Sequence, residues 1–118
     1  MPEDVTINKE LDIIEVYSYG NVTGEILDAT VKQIKRIEKE TGINKVLVDT
    51  TKQKSMPDTI TLYEFANNLP RDFMYAIVIS EKQSTKPEQD FFETVAHNRG
   101  FVVNEFTSKE EAIAWLKS

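Results

Sequence analysis

Apolar and polar positions along this chain change period several times, and each change marks an element. From Val5 to Gly20 the run VTINKELDIIEVYSYG is rich in β-branched and aromatic residues and is broken by Asn8-Lys9-Glu10. Two extended runs around a short polar interruption predict a β-hairpin. In the second run Ile14, Val16 and Ser18 share one face, while Ile13, Glu15, Tyr17 and Tyr19 share the other. At Thr23 the period lengthens. Leu27, Val31, Ile34 and Ile37 recur at helical spacing, Thr23 offers a hydroxyl N-cap, and Gly42 is a natural stop. Glu25 and Asp28 near its start, and Lys32, Arg36 and Lys39 later, suit the helix dipole.

Two runs, KVLVDT from Lys45 and DFMYAIVIS from Asp72, do not alternate. Strands that are apolar on both faces are the mark of the centre of a parallel sheet. Between them PDTITLYEFANNLP reads as a helix, with Asp58 or Thr59 as cap and Leu62, Phe65, Ala66 and Leu69 inward. STKPEQDFFETVAHNRG reads as another, with Thr85 and Glu88 at capping-box spacing, Pro87 in the first turn and Gly100 at the end. FVVNEF is a last strand. Ser108 and Glu111 open a final helix anchored by Ala112, Ile113, Trp115 and Leu116. The order predicts one α/β domain over residues 1–118: an N-terminal β-hairpin, then alternating helix and strand. About five strands would form a mostly parallel sheet, its first strand antiparallel at an edge, with about four helices.

Composition narrows the function. The chain has 118 residues, 40% of them hydrophobic, no cysteine and a formal net charge of -6. The acidic balance argues against a nucleic-acid binder. The amino-terminal MPEDVTINKE lacks an apolar leader core, and no apolar run is long enough to span a bilayer. The expectation is a soluble cytoplasmic domain. One histidine and no cysteine leave the common zinc patterns unfilled, and the four isolated glycines make no phosphate loop. Nothing in the residues implies a cofactor or a metal.

The informative stretch is KVLVDTTKQKS, from Lys45 to Ser55. Open parallel sheets place their sites at the carboxyl ends of strands. Asp49 is expected there, leading a loop with Thr50, Thr51 and Ser55 that runs to Asp58 and Thr59. As chemistry, these are a carboxylate and hydroxyls that bind a partner or take a phosphate near a helix start. As structure, Asp49 and Thr50 brace local amides. His97 and Arg99 read as partners of helix C-terminal carbonyls. Lys32, Lys35, Arg36 and Lys39 read as a solvated helix face. Tyr17, Tyr19, Tyr63, Phe65, Phe73 and Tyr75 either pack in the core or line an apolar pocket.

The whole order resembles the STAS superfamily, and within it the SpoIIAA-like, anti-sigma factor antagonist-like branch that is linked to lipid-binding Sec14-type domains. The residues that carry the resemblance are the hairpin, KVLVDTT, YAIVIS and FFETVAHNRGFVVNEFTSKEEAIAWLKS. It implies a non-enzymatic regulatory module that binds a protein partner through the loop and helix after the Val46–Asp49 strand. In phosphoregulated members a serine follows an aspartate at the start of the second helix, commonly as Asp-Ser-x-Gly. Asp58-Thr59 stands at the comparable place, with threonine for serine, no glycine, and Pro57 before the pair. Thr59 is therefore the candidate for phosphorylation. An alternative is a carrier of a lipid or small apolar ligand, and a third reading is an enzyme centred on Asp49. Pairing of two chains through the hairpin edge stays open.

Overall fold

The computed structural model describes residues 3–55, 72–80 and 102–118. Within them the chain forms β1 (Glu3–Asn8), β2 (Ile13–Asn21), α1 (Gly24–Thr41), β3 (Lys45–Ser55), β4 (Met74–Val78), β5 (Val102–Phe106) and α2 (Lys109–Lys117). The five strands make one sheet in the order β1-β2-β3-β4-β5. β1 pairs antiparallel with β2 at the edge, and the other pairings are parallel. The α/β class, the hairpin and the central strands agree with the sequence pattern. The helices expected around Asp58–Leu69 and Thr85–Gly100 lie outside the described residues.

The hairpin turn is later than the polar interruption suggests. Asn8 still belongs to β1, and Leu11 and Asp12 belong to the turn rather than to β2. Asn8 explains this: its Oδ1 accepts the Leu11 amide at 3.1 Å, and its Nδ2 donates to Glu15 at 2.9 Å. The side chain bonds within the turn and holds Leu11 in it, so β2 begins only at Ile13. Asp12 completes it with a φ of 55°, in the left-handed region that aspartate tolerates better than most residues.

Strand alternation sorts the core into two layers. Ile14, Val16, Val46, Tyr75, Ile77 and Val103 face α1 and pack against Leu27, Val31 and Ile34. Ile13, Leu47, Ala76 and Val78 face α2 and pack against Ala112 and Leu116. Ile13 and Ile14 are both fully buried, though they point to opposite faces. Each such side chain contributes about 1.5–3 kcal/mol relative to exposure. The helix ends follow the sequence. Thr23 and Ser108 accept amides from Ile26 and Glu111, and Gly42 takes a left-handed φ of 79° while its amide bonds the Glu38 carbonyl.

α2 is also tied to the hairpin by an ion pair, Lys109 Nζ to Glu15 Oε1 at 3.1 Å. Partial burial pushes the Glu15 carboxyl upward. Hydrogen bonds from Asn8 and Lys109, with the lysine charge, outweigh it and hold the group below the usual carboxylate range.

Candidate functional site

β3 does not end where its apolar run ends. The sequence pattern predicts a loop from Asp49, but the strand continues through Ser55. Asp49, Thr50, Thr51 and Ser55 are therefore strand residues, and a polar loop from Asp49 is corrected accordingly. The reason lies in β2, which extends equally far and supplies pairing that a scan for apolar residues misses. Asp49 faces Val78 of β4 in the last pair of that ladder, while β2 and β3 continue through Tyr19↔Lys52, Gly20↔Gln53 and Asn21↔Ser55. Past Val78 the two strands form a parallel ribbon beyond the end of the β3–β4 ladder.

The ribbon is irregular where the candidate residues stand. From Tyr17↔Asp49 to Tyr19↔Lys52, β2 advances by two residues and β3 by three. That extra residue is a β-bulge. Asp49 braces it: its Oδ1 accepts the Thr51 amide at 3.0 Å and the Thr51 hydroxyl at 2.7 Å. Thr50 turns inward. It is 4% exposed, and its hydroxyl donates to the Val78 carbonyl at 2.8 Å. A second shift falls between Gly20 and Asn21. Bulges add twist and re-aim side chains, so this end of the sheet has a shape that a regular ladder would lack. Asp58 and Thr59 lie outside the described residues.

Behind the ribbon, on the α1 face, is a polar group that the sequence pattern did not single out as a unit. Gln53 Nε2 donates to Ser18 Oγ at 2.8 Å. Glu3 stands opposite Ser18 across the hairpin and accepts a hydrogen bond from the Thr30 hydroxyl of α1. Glu3, Ser18 and Thr30 are all buried. Burial raises the Glu3 carboxyl above its ordinary 4.5, against the opposing pull of its hydrogen bonds from Thr30 and Ser18. The Gln53 Oε1 atom is buried with no hydrogen-bond partner among the described residues. One signal was available: Ser18 shares the face of Ile14 and Val16, and a buried hydroxyl calls for a partner.

The aromatic side chains divide between the faces. Phe73 and Tyr75 stack at 6.0 Å and belong to the α1-side core. Burial, reinforced by the Asp72 charge, pushes the Tyr75 hydroxyl far above its ordinary range. Tyr17 and Tyr19 sit together on the other face with ring centroids 5.1 Å apart, and Tyr17 is 42% exposed. These four do not converge on one pocket. Tyr63, Phe65, His97 and Arg99 lie outside the described residues. Lys32, Lys35, Arg36 and Lys39 are all exposed on α1.

A groove of 410 Å³ opens at the opposite pole, by the start of β3. It is bounded by the hairpin turn at Leu11 and Asp12, the end of α1 at Gly42, and Lys45 and Lys117. It shares no residue with the Asp49 ribbon. Among the described residues no group of three or more His, Cys, Asp or Glu side chains is placed to hold a metal, and no helix is long and apolar enough to cross a membrane.

No protein-family model matches this chain, and no curated protein matches it. Solved structures do. A protein of the DUF3478 family with a SpoIIAA-like fold, from Shewanella loihica PV-4, superposes with a TM-score of 0.65 at 17% identity, covering 97% of this chain and 93% of that one. The anti-sigma factor antagonist SpoIIAA in its unphosphorylated form gives 0.63 at 9% identity, covering 98% of each chain. The phosphorylated form of the Bacillus cell fate determinant SpoIIAA gives 0.60 at 8% identity, covering 97% of this chain and 98% of that one. At these identities the likeness is one of architecture: the edge hairpin and the parallel core make a SpoIIAA-like fold.

Proposed function

We propose that residues 1–118 form a single cytoplasmic, non-enzymatic interaction module. Its binding residues are Asp49, Thr50, Thr51 and Ser55 of β3 together with Asp58 and Thr59, and its ligand is a protein partner. The observation that carries this reading is the bonding of Asp49 and Thr50. The carboxylate is engaged by Thr51 and the Thr50 hydroxyl by the Val78 carbonyl. These groups shape the end of the sheet. Asp49 accepts the Thr51 amide as well as its hydroxyl, which is the bonding of a brace within the strand.

The likeness to a protein described as an anti-sigma factor antagonist, and solved in phosphorylated and unphosphorylated forms, supports a regulatory role, and Thr59, which follows Asp58 in the sequence, is the hydroxyl proposed for modification. The test is affinity capture from lysate with quantitative mass spectrometry, using wild type, Thr59→Ala, Thr59→Glu and Asp58→Lys. The expected result is the same partner on wild type and Thr59→Ala, with recovery about tenfold lower on the two charge-altered variants, equivalent to about 1.4 kcal/mol of binding. Capture no richer than that of an unrelated control domain would overturn the reading, as would a partner indifferent to both charge changes.

A further inference from the structure

Gln53 Oε1 is buried and has no hydrogen-bond partner among the described residues. A buried acceptor left unpaired is costly, and native structures hold few of them. The bonds around it explain why this one stands alone. Ser18 has a single proton and donates it to the Glu3 carboxyl. The Gln53 group beside the Ser18 oxygen must then be a donor, and Nε2 does lie 2.8 Å from Oγ. That orientation leaves Oε1 to find another donor. The Thr30 hydroxyl is already engaged by Glu3.

Glu3 is the group that can supply one. Its carboxyl reaches Ser18 from β1 and the Gln53 carboxamide reaches it from β3, so the serine brings the two groups together over β2. Ionised, a carboxyl only accepts, and the bonding in the structure is of that kind. Protonated, it carries one O–H and keeps an oxygen for Thr30. The surroundings favour the proton. On this face Glu3 meets uncharged neighbours: Val5 of β1, Val16 of β2, and on α1 Leu27 and Ile34 to either side of Thr30. Asp4 and Glu15 alternate to the opposite face of the hairpin. Asp28 and Lys32, the charged residues closest to Thr30 along α1, are exposed, as are Lys52 and Lys54 of β3. No charge of a described residue acts on the Glu3 carboxyl, and burial outweighs its two donors.

From this arrangement we infer that Glu3 and Gln53 form a proton-gated bridge across β2. With a proton on Glu3, its O–H donates to Gln53 Oε1 and ties the edge strand β1 to the far end of β3. When Glu3 returns the proton to solvent, the bridge opens and Oε1 is orphaned again. The fold thereby carries a pH-sensitive contact between the hairpin edge and the strand that bears Asp49, Thr50, Thr51 and Ser55. The contact does not depend on what that strand binds.

The test is carbon-detected NMR of side-chain carboxyl and carboxamide carbons, titrated from acid to neutral pH in wild type, Glu3→Gln and Gln53→Met, each checked for fold by circular dichroism. In wild type the Gln53 Cδ resonance should move with the same midpoint as Glu3 Cδ. Glu3→Gln places a permanent donor there and should hold the Gln53 resonance near its acid-limit position at every pH. Gln53→Met removes the acceptor that the protonated form uses, and should lower the Glu3 midpoint by about 0.5–1 pH unit. Burial alone predicts the opposite sign, since methionine makes the surroundings less polar. A Glu3 midpoint that rises or stays unchanged in Gln53→Met overturns the inference. So does a wild-type Gln53 resonance that ignores the titration of Glu3, which decides the matter even where the methionine variant fails to fold.

Discussion

At the residue scale, Asp49 is the clearest case of a polar group whose position suggests chemistry and whose bonds suggest support. Replacing it by alanine leaves the Thr51 amide and hydroxyl without their acceptor, which costs about 1–3 kcal/mol. Asp49→Asn keeps a carbonyl oxygen and should recover most of the loss, as urea denaturation would show. Glu3 gives a pH signature. Its folded carboxyl is raised by burial above the ordinary 4.5, so the folded state holds the proton more tightly than the unfolded chain. That contribution is complete below 4.5 and fades as pH rises through the folded value. Wild-type stability should therefore decline with rising pH on the alkaline side of 4.5 by an amount that Glu3→Gln removes, measured by denaturant midpoints across pH. Equal pH slopes in the two proteins would contradict this. Asp49 could be found in the sequence because it follows an apolar run. Glu3, Thr30 and Gln53 could not, since each lies in a different element and only the folded sheet brings them together.

At the scale of elements, the caps of the two described helices were legible because capping is a local transaction between neighbours in the chain. Thr23→Ala and Ser108→Ala should each lower stability by about 0.5–2 kcal/mol, read as shifts in thermal midpoint. Gly42→Ala should cost about 1–2 kcal/mol, because its φ of 79° strains any Cβ even though space around it is open. The length of β3 was not legible. TTKQKS has no apolar residue, and its strand geometry depends on pairing with a β2 segment far away in sequence. Two register shifts further hide the alternation on which strand recognition depends.

At the scale of the whole molecule, the layer between the sheet and α2 holds one side of the fold. Leu116, fully buried against Leu47 and Ala76, anchors α2. Leu116→Ala should cost about 2–5 kcal/mol. Lys52→Glu/Lys54→Glu should stay within about 0.5 kcal/mol per residue of wild type, and the combined variants should be additive in equilibrium unfolding. The five strands also stand in the sheet in the order in which they stand in the chain. Each strand after the first needs only its predecessor as a template, so no strand must wait for a later one to be inserted beside it. Assembly can then begin at the local β1–β2 hairpin and advance toward β5, the loop-closure cost being met one crossover at a time. In pulse-labelling hydrogen exchange, amides of the hairpin should gain protection ahead of those in β5, and a nascent chain emerging from the ribosome should lay down its sheet from one edge to the other.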